Sequence, residues 1–159
     1  MDWDGYPSGT ADEKTQFIAY LDLHRNALIE KVEGLSESQA RWKPSPTANS
    51  LLNLLVHVAG VECNWFQKVI GGRHVERDRD AELAELPPNV TIASAVDGYR
   101  KAIAESNAVL DGVGLTDACR GMDELNVRWV LLHMLEELAR HAGHADITRE
   151  LIDGTVNDN

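Results

Sequence analysis

Apolar residues recur along the chain every three or four positions, the spacing of a helix face, and nowhere alternate with period two for long enough to make a sheet. Over residues 11–33, Phe17, Tyr20, Leu21, His24, Leu28 and Val32 fall along one side, and Gly34 marks a stop. The connector GLSESQARWKPSPTAN brings two prolines and a polar cluster, with a short helical turn expected after Ser36. A second helix is predicted over residues 50–70, with Leu54, His57, Val58, Val61 and Trp65 as its stripe and Gly71-Gly72 as its end. The charged segment GRHVERDRDAELAELPPN reads as an exposed loop or frayed turn closed by Pro87-Pro88. A third helix is predicted over 91–113, capped by Thr91 or Asn89, with Ile92, Val96, Tyr99, Ile103 and Leu110 inward. After GLTDACRGMDEL, the fourth covers 126–152 and stops at Asp153-Gly154. Four helices of roughly 20 residues, each about 30 Å long at 1.5 Å per residue, predict an all-α four-helix bundle. Connectors of ten or more residues permit crossovers, so this pattern leaves the up-down order open.

The chain of 159 residues suits one domain with a real core, with residues 1–10 and 155–159 expected as loose termini. Its net charge of -11 argues against a nucleic-acid partner, which demands a basic face. There is no run of about 20 apolar residues and no basic-then-apolar leader, so the expectation is a cytoplasmic protein without membrane segments. Cys63 and Cys119 lack a CxxC spacing and are expected as free, packed thiols. Arginine outnumbers lysine ten to five, a weak sign of a high-GC genome.

The chemistry is concentrated in HMLEELARHAGHAD, residues 133–146. Steps of three and four connect Val130, Met134, Glu137, His141, His144 and Thr148, placing a carboxylate and two imidazoles where leucines are expected. An unpaired buried carboxylate costs several kcal/mol or takes up a proton. Three structural explanations compete: Glu137 bonds a buried His or Arg, His141 is a satisfied core imidazole, or the stripe is slightly rotated and Glu137 meets water. Against them stands His57, in the middle of the second helix's own apolar stripe. Glu137, His141 and His57 together make an open N/O site of three ligands, suited to zinc, nickel, iron or manganese. His144 is the substitute ligand, an outer donor or an acid/base. His133 reads as a core or capping residue and His74 as solvated. His24, Trp65 and Met134 are candidates to line the pocket. Trp42, Trp65 and Trp129 suit a pocket wall or an interface, though ordinary packing explains them as well.

The segments GLSESQARWKPSPTANSLLNLLVHVAGVECNWF and HMLEELARHAGHADITRELIDG resemble the DinB/YfiT-like superfamily of metal-binding four-helix bundles, over nearly the full chain. Members typically carry one His on the second helix and an HxxxH running into HRGQ on the last. Aligning HAGH on HRGQ puts His141 at the last ligand and Glu137 at the one before it, an ExxxH similar to that of the mycothiol-dependent maleylpyruvate isomerase branch. A shifted register would use His141 and His144 instead. The resemblance implies up-down-down-up order, a divalent metal at one end of the core, and often a homodimer.

It further implies a thiol S-transferase or isomerase-like enzyme, and fold and metal transfer better than chemistry. The leading expectation is a metal-dependent transferase of a low-molecular-weight thiol, mycothiol or a relative, to a small electrophile, with zinc or nickel as the ion. The alternatives are a metal-dependent hydrolase and a non-catalytic, stress-associated metal-binding dimer.

Overall fold

A computed structural model of the protein describes Tyr6 and residues 8–156. The expectation for residues 1–10 and 155–159 therefore falls largely outside the described residues. Those described are mostly helical. Helix α1 spans Glu13–Glu30, with Asp12 as its cap accepting from the Thr15 amide. Ser36 and Gln39 form a reciprocal capping box on α2, Glu37–Ala40, the short turn expected there. Ser50 caps α3, Leu51–Glu62, which continues as a π-helical segment, Cys63–Ile70. After α4, Arg79–Leu83, comes α5, Ile92–Asp111, capped by Thr91 as predicted. The last helix, α6, spans Val127–Asp153 and ends at Gly154, whose φ of +75° favours glycine.

Three features depart from the sequence reading. The π segment was not anticipated; its wider turn shifts the phase of the side chains that follow Glu62. The connector before α6 holds a small antiparallel pair, β1 at Ala118–Cys119 and β2 at Met122–Asn126, although the pattern gave no strand. Its turn is docked rather than free: the Arg120 and Gly121 amides donate to the Ile70 and Val69 carbonyls at 3.0 and 2.9 Å, satisfying the end of the π segment. A Cβ on Gly121 would collide with the Lys68 carbonyl, so this approach requires glycine. Third, residues 72–89 are not merely a loop. Asp78 caps α4, and the Asn53 side chain donates to the Glu82 and Ala84 carbonyls at 2.9 and 2.8 Å, binding α4 to α3.

Helix α1 packs along α6, α3 and its π extension along α5, and α3 also touches α6. Glu13 at the head of α1 pairs with Arg128 at the head of α6 at 2.7 Å, and Arg149 near the tail of α6 donates to the Lys31 and Glu33 carbonyls, so these helices run the same way. Lys14 on the first turn of α1 reaches the Leu110 and Val113 carbonyls at the far end of α5, so α5 runs opposite to α1. The core contains Leu21, Leu52, Leu55, Val58, Phe66, Tyr99, Leu110, Leu131, Met134 and Leu138, all fully buried. Phe17, Ile92, Val96 and Ile103 are only partly buried and Tyr20 is exposed, whereas α5 is inward through Ala95, Tyr99, Ala102, Ser106, Val109 and Leu110.

A charged group also lies inside. Arg25 on α1 is 1% exposed and Glu62 on α3 is 0% exposed, and their side chains meet through two bonds of 2.8 and 3.0 Å. Asp22 and Asn107 take the remaining Nη1 of Arg25, and its guanidinium lies 5.4 Å from the Phe66 ring centroid. Neither residue belonged to the predicted apolar stripes; a buried pair at such separation leaves no local signature.

Candidate functional site

The stripe of α6 is turned from its predicted position. Its buried residues are Val127, Val130, Leu131, Met134, Leu138, Ala142, Ala145 and Thr148, so leucines and alanines take the centre. Glu137, His141 and His144 fall on the flank, half-buried. Polar groups there keep part of their hydration, which lowers the desolvation cost that central burial would impose. The rotated stripe was one of the explanations that competed at the level of sequence.

That flank faces α3. His57, 7% exposed, approaches His141 edge to face, with ring centroids 5.2 Å apart and planes at 77°. One turn back on α6, Glu137 Oε2 lies 3.3 Å from His141 Nε2. Burial, foremost, and then the proximity of His57 push the His141 pKa below its usual 6.5, and Glu137 only partly opposes them. A lowered value favours the neutral imidazole, the form in which histidine binds metals.

The Nδ1 edge of His57 meets residues that the sequence pattern did not single out. Glu82 Oε2 lies 2.9 Å from His57 Nδ1. Arg77 clamps that carboxylate with both nitrogens of one guanidinium edge, Nε to Oε1 at 2.7 Å and Nη2 to Oε2 at 2.8 Å. The space for this pair comes from Gly60, three residues beyond His57: a Cβ there would collide with Glu82 Oε1. Asp78, an N-cap residue followed by a helical DAEL, was the available sign that this charged segment folds. His74 in the same segment is solvated as expected, its side chain 88% exposed.

A groove of about 250 Å³ opens here, lined by His57, Val61, Asn64, Trp65, Arg77, Arg79, His133 and Glu137. Trp65 lines it. Met134 does not, being fully buried in the core. His133 is neither core nor cap: it lies in the groove wall, its ring 4.4 Å from Trp65 and stacked on Trp129 at 5.4 Å and 15°. The Trp pair itself is 5.9 Å apart, giving an aromatic lip; Trp129 is 46% exposed and Trp42, far from this lip, 42% exposed. His144 is close enough to depress the His141 pKa further. Beyond the Gly60–Glu82 wall lies a second cavity of about 470 Å³ between α3 and α5, reached by the half-buried, free Cys63. Burial raises the Cys63 thiol pKa, the reverse of what an activated nucleophile needs.

Among the described residues, no three His, Cys, Asp or Glu side chains converge on one point as a metal requires. The groups stand instead as a chain, Glu82 to His57 to His141 to Glu137. The donors are nevertheless right in kind for an N/N/O ion: two imidazoles, one held toward its neutral form, and a partly exposed carboxylate.

His24 is half-buried on α1 and does not line the groove. Burial lowers its pKa below 6.5. The unfolded chain therefore takes up a proton as the pH falls through 6.5 while the folded one resists, so this contribution to stability declines on the acid side until the folded pKa is passed. His141 acts with the same sign. His24→Gln is expected to lessen the drop in Tm between pH 7.5 and pH 5; an unchanged drop in thermal melts would count against that account.

Fold and groove together define a mostly helical protein with an imidazole–carboxylate cleft under an aromatic lip. A model of the mycothiol S-transferase family matches residues 16–154, and the chain belongs to that family. The family is part of the DinB/YfiT-like superfamily that the motifs resemble. Among solved structures, a conserved protein from Enterococcus faecalis is similar, with a TM-score of 0.64 and 16% identity over 92% of this chain and 100% of that one. At that identity the likeness speaks for the fold alone. No curated protein matches the chain. No helix among the described residues is long and apolar enough to cross a membrane.

Proposed function

We propose that the protein is a divalent-metal-dependent transferase that moves a mycothiol-type thiol onto a small electrophile. The observation that carries this reading is the meeting of His57 from α3 with the Glu137–His141 pair of α6, in a chain of the mycothiol S-transferase family. His57, Glu137 and His141 would hold the ion, with zinc or nickel as our expectation. Such an ion, when bound, withdraws charge from a thiol sulfur and lets it react as thiolate near pH 7.

The chain's own residues do the rest. His141, whose pKa burial lowers, would bind the ion as a neutral imidazole. His144, close enough to His141 to depress its pKa, would accept the proton the thiol gives up. The thiolate sulfur then forms a bond to the electrophilic carbon, and the electron pair leaves with the displaced group or settles on the acceptor. Trp65 and His133 line the groove, with Trp129 packed against both, and would limit water there. In architecture we read the chain as an up-down-down-up four-helix bundle, supported by the shared ends of α1 and α6 and the opposed run of α5. For the expected homodimer, support comes from Leu132, Ile147 and Leu151, exposed on one face of α6.

The test pairs metal analysis with turnover. Purified protein should retain a divalent ion that His57→Leu and Glu137→Leu lose, and the loaded protein should consume mycothiol with a fluorogenic electrophile. If mycothiol, bacillithiol and glutathione are all inert with the metal-loaded protein, the proposal fails.

A further inference from the structure

Glu82 and Arg77 have no part in the motif that defines the groove, yet they are built into its wall. Glu82 is 8% exposed on a helix of only 5 residues whose N-cap is already supplied by Asp78, so it is not needed there as a cap. Its partners are Arg77 and His57. A leucine would cover the same surface of α3 without the cost of removing a carboxylate from water. Gly60 lends independent weight, because its missing side chain is the space that the Glu82 carboxylate fills.

We infer that Glu82 is the positioning residue of His57: held by Arg77 in the Gly60 notch, its carboxylate fixes the Nδ1–H tautomer and presents Nε2 to the groove. The tautomer follows from the contacts. A neutral Nδ1 facing a carboxylate oxygen at 2.9 Å must donate, since two lone pairs at that distance repel. Arg77 Nη2, which can only donate, stands farther from Nδ1 at 3.3 Å and already has Glu82 Oε2 at 2.8 Å. The two Arg77–Glu82 bonds fix the carboxylate in the plane from which it accepts. A ring held at Nδ1 keeps its other nitrogen fixed in direction, and the nearby carboxylate makes that nitrogen a better donor to a cation.

The inference rests on the metal reading of the groove only for what Nε2 does; the tautomer is a property of the chain alone. It is tested first on metal-free protein labelled with ¹⁵N-histidine, near pH 7.5, with His57 assigned by the signals lost in His57→Gln. Long-range ¹H–¹⁵N correlations should show His57 as Nδ1–H. In Glu82→Ala the ring should move toward the Nε2–H form that free imidazole side chains prefer. Gly60→Ala should do the same by steric displacement of Glu82, without removing any polar group. Glu82→Gln, which keeps an acceptor oxygen and the shape, should hold the tautomer and serves if the alanine variant does not fold. Zinc affinity, read by competition with a chromogenic chelator, should fall roughly 10–100-fold in Glu82→Ala, the usual effect of losing such an outer partner.

A wild-type His57 in the Nε2–H form, or a tautomer unmoved in both Glu82→Ala and Gly60→Ala, overturns the inference. A wild type that binds no zinc while the tautomer shifts as described removes the metal reading and leaves Glu82 as the residue that orients His57. A wild type that binds zinc, with affinity unchanged in Glu82→Ala, overturns the claim that the orientation serves the ion.

Discussion

Glu62→Ala is expected to be the most damaging single change away from the groove, costing about 3–5 kcal/mol because it strands the Arg25 guanidinium without its main counter-charge. The two side chains are 1% and 0% exposed, so water cannot replace the lost partner. Asp22 and Asn107 still accept from Nη1, and Asp22 is 44% exposed, which places the expectation toward the lower end of that range. For a chain of this size the loss corresponds to roughly 6–20 °C in Tm, readable by thermal and urea unfolding. The double variant Arg25→Met with Glu62→Leu should recover most of it, since replacing a buried pair by apolar side chains is often neutral or stabilising. A single variant that melts within about 2 °C of wild type would show that the pair is not desolvated in solution.

His141→Ala is expected to have the largest effect on function. His141 stands between Glu137 at 3.3 Å and the His57 ring at 5.2 Å, so its removal takes away the one group the carboxylate and the other imidazole share. Divalent-ion affinity and thiol transfer should fall by more than the roughly 10–100-fold that losing an outer partner costs. Stability should hold, because the side chain is 21% exposed and lies outside the buried stripe. Removing the ion from wild type with a chelator should reproduce the loss of transfer, and restoring it should reverse the loss in wild type alone. His144→Ala, acting on the proton rather than the ion, should reduce turnover while sparing metal content. Equal metal content in wild type and His141→Ala, measured by elemental analysis after dialysis, would refute the ligand assignment.

Much of this protein was determined locally. Ser36, Ser50, Thr91 and Gly154 mark helix ends where the sequence expects them, because a cap is satisfied by atoms within a few residues. The Glu137–His141 pair shares a face by helical geometry alone, and its HAGH context sufficed for the family resemblance that the match over 16–154 bears out. Tertiary packing decided what no window of sequence contains. Leu131, Leu138 and Ala142 took the centre of α6 against α1 and α3, which left the polar trio on a flank that is half wet. Residues 72–89 carry the charge of a solvated loop, yet Gly60 on another helix leaves a notch that admits Glu82, and Arg77 supplies the counter-charge that makes its burial tolerable. Charge and periodicity report what one segment prefers next to water; whether a carboxylate stays there depends on the space and partners that a distant segment brings.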